Sequence, residues 1–181
     1  MKERLIAAGS GGQGALNVGQ MIAYAATNKG MNATWLPSYG AEMRGGTANC
    51  AVVISDEKIS CPMVMSADYC VIMNNASLAR FGGTLKSGGC LILDSDMVTD
   101  KPARTDIRVY EVPADKIAEE EGNKKGVNMV LLGAFLALSG SIEKEEVFTV
   151  INAKFTGRKE KFAEPNRRLV QRGMDYIRAN Y

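Results

Sequence analysis

The chain has 181 residues, 46% of them hydrophobic and 23% charged, which suffices for a packed core without staples and excludes intrinsic disorder as a description of the whole. With 22 basic and 20 acidic residues the formal net charge is +2, which gives no ground for nucleic acid or an anionic membrane as partner. Histidine is absent, which excludes Ser-His-Asp and Cys-His catalysis, histidine zinc ligands and a histidine proton switch.

In chain order, Arg4-Leu5-Ile6-Ala7-Ala8 reads as a short buried strand, and Gly9-Ser10-Gly11-Gly12-Gln13-Gly14 follows as a turn. Ala15, Val18, Met21, Ile22 and Ala25 recur at helical spacing, and Gly30 is placed to close that helix in the left-handed conformation. Asn32 to Leu36 is a second strand, so the chain opens like a parallel α/β sheet with a right-handed crossover. Pro37 to Gly46 is a polar, glycine-rich loop. Thr47 to Ser55 is a third strand; a turn at Asp56-Glu57-Lys58 and a return over Ile59 to Pro62 suggest an antiparallel hairpin there.

Further strands are expected at Asp68–Asn74, Cys90–Asp94 and Arg108–Val112, with a short helix over Ala76–Phe81. The remainder is helical: Ala114–Glu121, an apolar and therefore buried helix at Val127–Leu138, and amphipathic stretches at Ile142–Ile151 and Asn166–Asn180. From Lys154 onward eight basic residues face three acids, which reads as a solvated helix face. The expected architecture is a three-layer α/β/α, Rossmann-like domain spanning 1–181. Residues 1–113 would form the mainly parallel or mixed sheet core, and 114–181 its mainly helical completion.

Cys50, Cys61, Cys70 and Cys90 form no Cys-x-x-Cys pair, and three of them lie in apolar strand-like runs. They are expected to be reduced thiols rather than ligands of an iron–sulfur cluster held by this chain. The longest apolar run, Met129–Leu138, is interrupted by Gly133 and falls short of the roughly 20 residues of a membrane span. No signal peptide is visible, so the expected location is the cytoplasm.

Gly9, Gly11 and Gly14 satisfy Gly-x-Gly-x-x-Gly, a turn that lets backbone approach a phosphate at a helix N-terminus. The NAD form of that motif needs an acid about 20 residues on, where Trp35, Leu36, Pro37 and Ser38 stand instead. No Lys-Ser/Thr follows, so it is not a nucleoside-triphosphate P-loop. A phosphate-bearing ligand and a merely structural tight turn both remain open. The second loop should leave the carboxyl edge of the sheet beside the first, where Arg44 could fork onto a phosphate or pair with Glu42. Asn74, Asn75, Asp94 and Ser95 belong at the same edge, in capping and turn roles before ligand roles. No nucleophile–base pair and no metal-ligand set can be assembled from spacing, so no catalytic residue is assigned.

Gly-x-Gly-Gly-Gln-Gly followed by Ser38-Tyr39-Gly40-Ala41-Glu42-Met43-Arg44-Gly45-Gly46 resembles the γ subunit of the 2-oxoacid:ferredoxin (acceptor) oxidoreductases. Val53-Ile54-Ser55-Asp56, Ala67-Asp68, Leu85-Lys86-Ser87-Gly88-Gly89, Asn166 and Gly173 agree with that family along the whole chain. The resemblance implies a subunit of an enzyme that decarboxylates a 2-oxoacid oxidatively and joins the acyl group to coenzyme A. Thiamine diphosphate and the iron–sulfur clusters would belong to α, β and δ partner subunits, with ferredoxin reached through the complex. It also implies that Gly11, Gly12, Gln13 and Gly14 bring backbone amides to coenzyme A, and that Arg44, Gly45, Gly46 and Thr47 form the second loop of the site, with Arg44 making a charge contact to the ligand or to a partner subunit. The Tyr-Gly-Ala-Glu-Met-Arg-Gly-Gly form of the second loop is nearer the 2-oxoglutarate than the pyruvate type, so 2-oxoglutarate is the expected substrate. Apolar residues left bare where partners would sit would let the isolated chain self-associate. The rival readings are a stand-alone dinucleotide-binding reductase and a purely structural subunit of the same complex.

Overall fold

In a computed structural model, which describes residues 1–39 and 47–181, a six-stranded sheet runs in the order β2-β3-β1-β4-β5-β6. The strands are β1 (Lys2–Ser10), β2 (Asn32–Tyr39), β3 (Thr47–Ser55), β4 (Ala67–Ile72), β5 (Leu85–Asp94) and β6 (Arg108–Val112). The helices are α1 (Ala15–Asn28), α2 (Asn75–Phe81), α3 (Ala114–Glu120), α4 (Val127–Ser139), α5 (Lys144–Lys154) and α6 (Ala163–Asn180). Helices cover both faces of a mixed sheet, as expected.

Two expectations need correction. β1 and β2 point the same way but are not neighbours, because β3 lies between them and pairs antiparallel with both. The hairpin is therefore β2–β3, closed by the second glycine-rich loop. Nothing returns at Asp56: among the described residues no strand covers Ile59–Pro62. The alternation of Ala48, Cys50, Val52 and Ile54 marks a strand but is blind to its direction. β5 also starts five residues before Cys90, and α6 begins at Ala163, three residues before Asn166.

Strand periodicity divides the core. Leu5 and Ala7 of β1, Cys50, Val52 and Ile54 of β3, Val71 and Ile92 face the broad layer built on α1, α4, α5 and α6. Ile6, Ala8, Cys70, Ile72, Leu91 and Leu93 face a thin layer carried by Leu78 of α2. In α1 the buried residues fall at helical spacing, while Tyr24, Thr27 and Asn28 are exposed. Gly30 closes it at φ +84°, with Met31 N–H donating to Ala26 O. Helix α4 is buried on nearly every side, and it crosses α6 with backbones in contact: a Cβ on Gly133 would run into the Val170 carbonyl, and one on Gly173 into that of Val130.

Candidate functional site

The carboxyl ends of β1 and β4 are adjacent, and their chains leave in opposite senses. From β1 the chain passes through α1 on the broad face toward β2; from β4 it passes through α2 on the thin face toward β5. Such a divergence opens a crevice at the carboxyl edge of the sheet, the usual ligand position of an open α/β sheet. The register brings the second loop to the same place. Ser10 lies opposite Thr47, and Ala48 lies opposite Tyr39, so both anchors of that loop stand beside the glycine turn. Arg44, Gly45 and Gly46, with Glu42, lie outside the described residues.

Gln13 stitches the crevice together. Its Oε1 accepts from Ser10 N–H at 2.6 Å and from Asn74 Nδ2 at 3.2 Å, and its Nε2 donates to Met73 O at 3.0 Å. Asn74 also donates to Ser10 Oγ at 2.7 Å and caps α2 by accepting from Ser77 N–H at 2.8 Å. The Gln13 backbone N–H is committed as well, to Ser10 O at 3.1 Å. Among the described residues the amides of Gly11, Gly12 and Gly14 find no acceptor, and the first turn of α1 begins directly behind them. Gly12 and Gly14 sit at φ +100° and +86°, the left-handed region in which a Cβ is costly. Of the four turn residues expected to offer amides, three have them free and Gln13 holds the turn in shape. Thr47 accepts from Arg80 Nη1 at 3.3 Å, a contact from α2 that sequence spacing did not reveal.

Two further elements reach the turn from more than a hundred residues along the chain. Asn128, in the first turn of α4, lies against Gly14 so closely that a Cβ there would stand 2.6 Å from its Nδ2. Lys124 and Lys125 stand on the 3-10 turn that leads into α4. A cavity of about 370 Å³ lies on one side of Gly12–Gln13, bounded by Gly14, Asn17, Lys125 and Asn128. Another of about 460 Å³ lies on the other side, bounded by Met73, Met97, Asp115, Lys124 and Lys125. Lys124 is paired to Glu119 at 2.5 Å, whereas Lys125 makes no ion pair among the described residues. The sequence signal was Asn-Lys-Lys-Gly at the start of an apolar helix, a basic helix entry whose position in space only the fold supplies. Asn166 accepts from Asn123 Nδ2 at 3.4 Å and donates to Phe162 O at 2.9 Å, closing the wall beyond Lys125. At the neighbouring strand end, Asn75 Oδ1 accepts from Thr99 and Asp100 N–H, a turn role. Burial, and then the adjacent Asp115, push the Asp94 carboxyl up to about 7.

The arrangement offers free amides at a helix start, one unpaired ammonium group and two open cavities, which suits an anionic, phosphate-bearing ligand of some length. Its neighbourhood holds no assembled nucleophile and base among the described residues.

Comparison with known proteins identifies the family. The family described as pyruvate ferredoxin/flavodoxin oxidoreductase matches residues 4–176. Ketoisovalerate oxidoreductase subunit VorA of Methanothermobacter marburgensis is 36% identical over 178 residues, 98% of this chain but 37% of VorA, so the chain spans little more than a third of that relative. The 2-oxoglutarate synthase subunit KorC of Methanocaldococcus jannaschii is 36% identical over 152 residues, 81% of this chain and 80% of its own length. Among solved structures, the keto/oxoacid ferredoxin oxidoreductase γ subunit of Geobacter sulfurreducens superposes with a TM-score of 0.84 at 30% identity, covering 98% of this chain and 99% of that one. The 2-oxoglutarate:ferredoxin oxidoreductase of Magnetococcus marinus, with 2-oxoglutarate, coenzyme A and succinyl-CoA bound, superposes with a TM-score of 0.91 at 25% identity, covering 99% of this chain and 32% of that one. The resemblance carried by the two glycine-rich loops is borne out: the chain belongs to the pyruvate ferredoxin/flavodoxin oxidoreductase family.

Proposed function

We propose that the chain is the γ subunit of a 2-oxoacid:ferredoxin oxidoreductase and that its glycine turn receives the phosphate-bearing part of coenzyme A. The observation that carries the reading is the turn itself: three free amides at the foot of α1, between two cavities, with the unpaired Lys125 at their common wall. The amides of Gly11, Gly12 and Gly14 would cradle phosphate oxygens, and Lys125 would supply the charge. Gln13 would act by position, holding the turn against β4, and Thr47 with Arg44 and Gly45-Gly46 would close the site from the second loop. Thiamine diphosphate and iron–sulfur clusters, held by α, β and δ partners, supply the decarboxylation and electron transfer; this chain's residues bind and orient the acyl acceptor. The complex would pass its electrons to ferredoxin in the cytoplasm. Among the described residues no helix is long and apolar enough to cross a membrane.

The second loop favours 2-oxoglutarate as substrate. The match to a ketoisovalerate subunit over 98% of the chain favours 2-oxoisovalerate as a second reading. The experiment is anaerobic recovery of the tagged chain with its partners, followed by coenzyme A-dependent dye reduction with pyruvate, 2-oxoglutarate and 2-oxoisovalerate. Co-purifying thiamine- and iron–sulfur-bearing subunits are expected. In that complex Lys125→Ala should raise the KM for coenzyme A roughly 5- to 20-fold, the scale of one charge-assisted contact, and leave kcat nearly unchanged. An unchanged KM in an intact Lys125→Ala complex would leave the chain a structural subunit. Recovery of the chain alone, without oxoacid-dependent reduction, would remove the complex altogether.

A further inference from the structure

Behind the glycine turn, at the carboxyl end of β5, three carboxylates converge. Asp94 ends the strand, Asp96 follows in the turn, and Asp115 enters from the first turn of α3. One oxygen of each lies within 4.8 Å of the others. Three acids gathered at a surface would mean little, but Asp94 is fully buried. Its Oδ1 accepts from Asp96 N–H at 3.3 Å, while its Oδ2, equally buried, has no hydrogen-bond donor. Asp96 Oδ2 accepts from Lys116 N–H at 2.8 Å. Among the described residues no lysine or arginine forms an ion pair with any of the three, and the nearby Lys124 is paired with Glu119 instead. A buried carboxylate oxygen beside two further carboxylates, with no donor and no basic side chain, is an arrangement that a folded chain keeps only when a proton or a cation compensates it.

The donor set is all oxygen and all carboxylate, which selects a hard divalent cation of the Mg²⁺, Mn²⁺ or Ca²⁺ kind over zinc or copper. Oxygen pairs under 4.8 Å are within what ligands on one ion span at metal–oxygen distances of about 2.1–2.6 Å. We infer that Asp94, Asp96 and Asp115 form a hard divalent-cation site on this chain. Asp115 also lines the 460 Å³ cavity beside Gly12 and Lys125, so coordination positions left free by the protein face that cavity and take water. The ion would tie the end of β5 to α3, reinforcing the bond that Lys116 N–H donates to Asp96 Oδ2 at 2.8 Å. The inference does not rest on coenzyme A binding, and its test needs no partner subunit.

The test uses the full chain stripped with EDTA. Titration with Mn²⁺, read by the loss of the free-ion resonance signal, should show one ion bound per chain. At 1 mM Mn²⁺ or Ca²⁺ the thermal midpoint should rise by about 5 °C or more, as expected for a micromolar site in a chain of this size. Asp96→Asn at an exposed position and Asp115→Asn at a half-buried one should each weaken Mn²⁺ binding at least 10-fold, while the control Asp100→Asn leaves it unchanged. Three results would overturn the site. One is a free-ion signal that persists at 1 mM. Another is binding that survives both cluster substitutions. The last is a midpoint indifferent to cations that falls as pH rises from about 4 toward 7, the mark of a proton shared between Asp94 and Asp115.

Discussion

Gly14 has two reasons to be glycine, and they can be separated. Its φ of +86° costs any other residue about 1 kcal/mol or more, and the Asn128 amide occupies the space a methyl group would need. Gly14→Ala should therefore lower the midpoint of thermal unfolding by several degrees, and Asn128→Ala should recover part of the loss. Gln13 invites the complementary substitution. Gln13→Glu keeps the shape and the bond from Ser10 but turns an oxygen toward the Met73 carbonyl, where an N–H donated before. An acceptor facing an acceptor should cost about 1–3 kcal/mol in denaturant unfolding. The thiols differ as sharply. Cys61 is exposed and Cys50, Cys70 and Cys90 are buried, so a thiol reagent at pH 8 should react rapidly with one of the four and with the rest only on unfolding. Burial pushes the Cys50 thiol up to about 11 and the Cys70 thiol up to about 12. Unfolding releases these protons at the ordinary thiol value near 9, so the stabilisation from the buried neutral thiols is complete below pH 9. It should decline as pH rises from 9 toward 11, a fall that Cys50→Ala would lessen.

At the scale of elements, the crossing of α4 and α6 is set by Gly133 and Gly173, each seated against the other helix's backbone. Neither Gly133→Ala nor Gly173→Ala can be accommodated by turning a side chain, because the obstacle is a carbonyl group. Each should destabilise by about 1–3 kcal/mol or more, a drop of roughly 2–4 °C in midpoint per kcal/mol for a chain of this length, with helical content retained. The sequence made α4 legible as a buried helix, because its apolar residues leave no polar face. It also made the glycine turn and α1 legible, because strand, turn and helix spacing are local. It did not reveal the partner of β3, since alternation along Thr47–Ser55 is the same whichever way the neighbours run. Nor did it bring Lys125 and Asn128 to the turn, more than a hundred residues away, since local pattern carries no information about which helix start lands beside which loop.

The whole molecule is a sheet with a thick side and a thin side, and the candidate site is made at the seam where the two layers begin. Its parts come from distant stretches of the sequence: the turn from residues 10–14, the basic entry from residues 124–128. The fold class was legible in sequence order, strands interleaved with helices and then helices alone, because layered domains allow few arrangements of such a pattern. The site was half legible: the turn announced itself through its glycines, and the wall opposite did not.

The central place of β1 has a consequence for the newborn chain. Lys2–Ser10 is made before both of its neighbours, β3 and β4, the second of which ends at Ile72. At about 5–20 residues per second, the interval is roughly 3–12 s. One hydrogen-bonding edge of Leu5-Ile6-Ala7-Ala8 stays open until β3 is made, and the other stays open throughout. The strand that ends as one of the most enclosed segments is the one that waits longest, and it is there that a holding chaperone has its widest window on this chain.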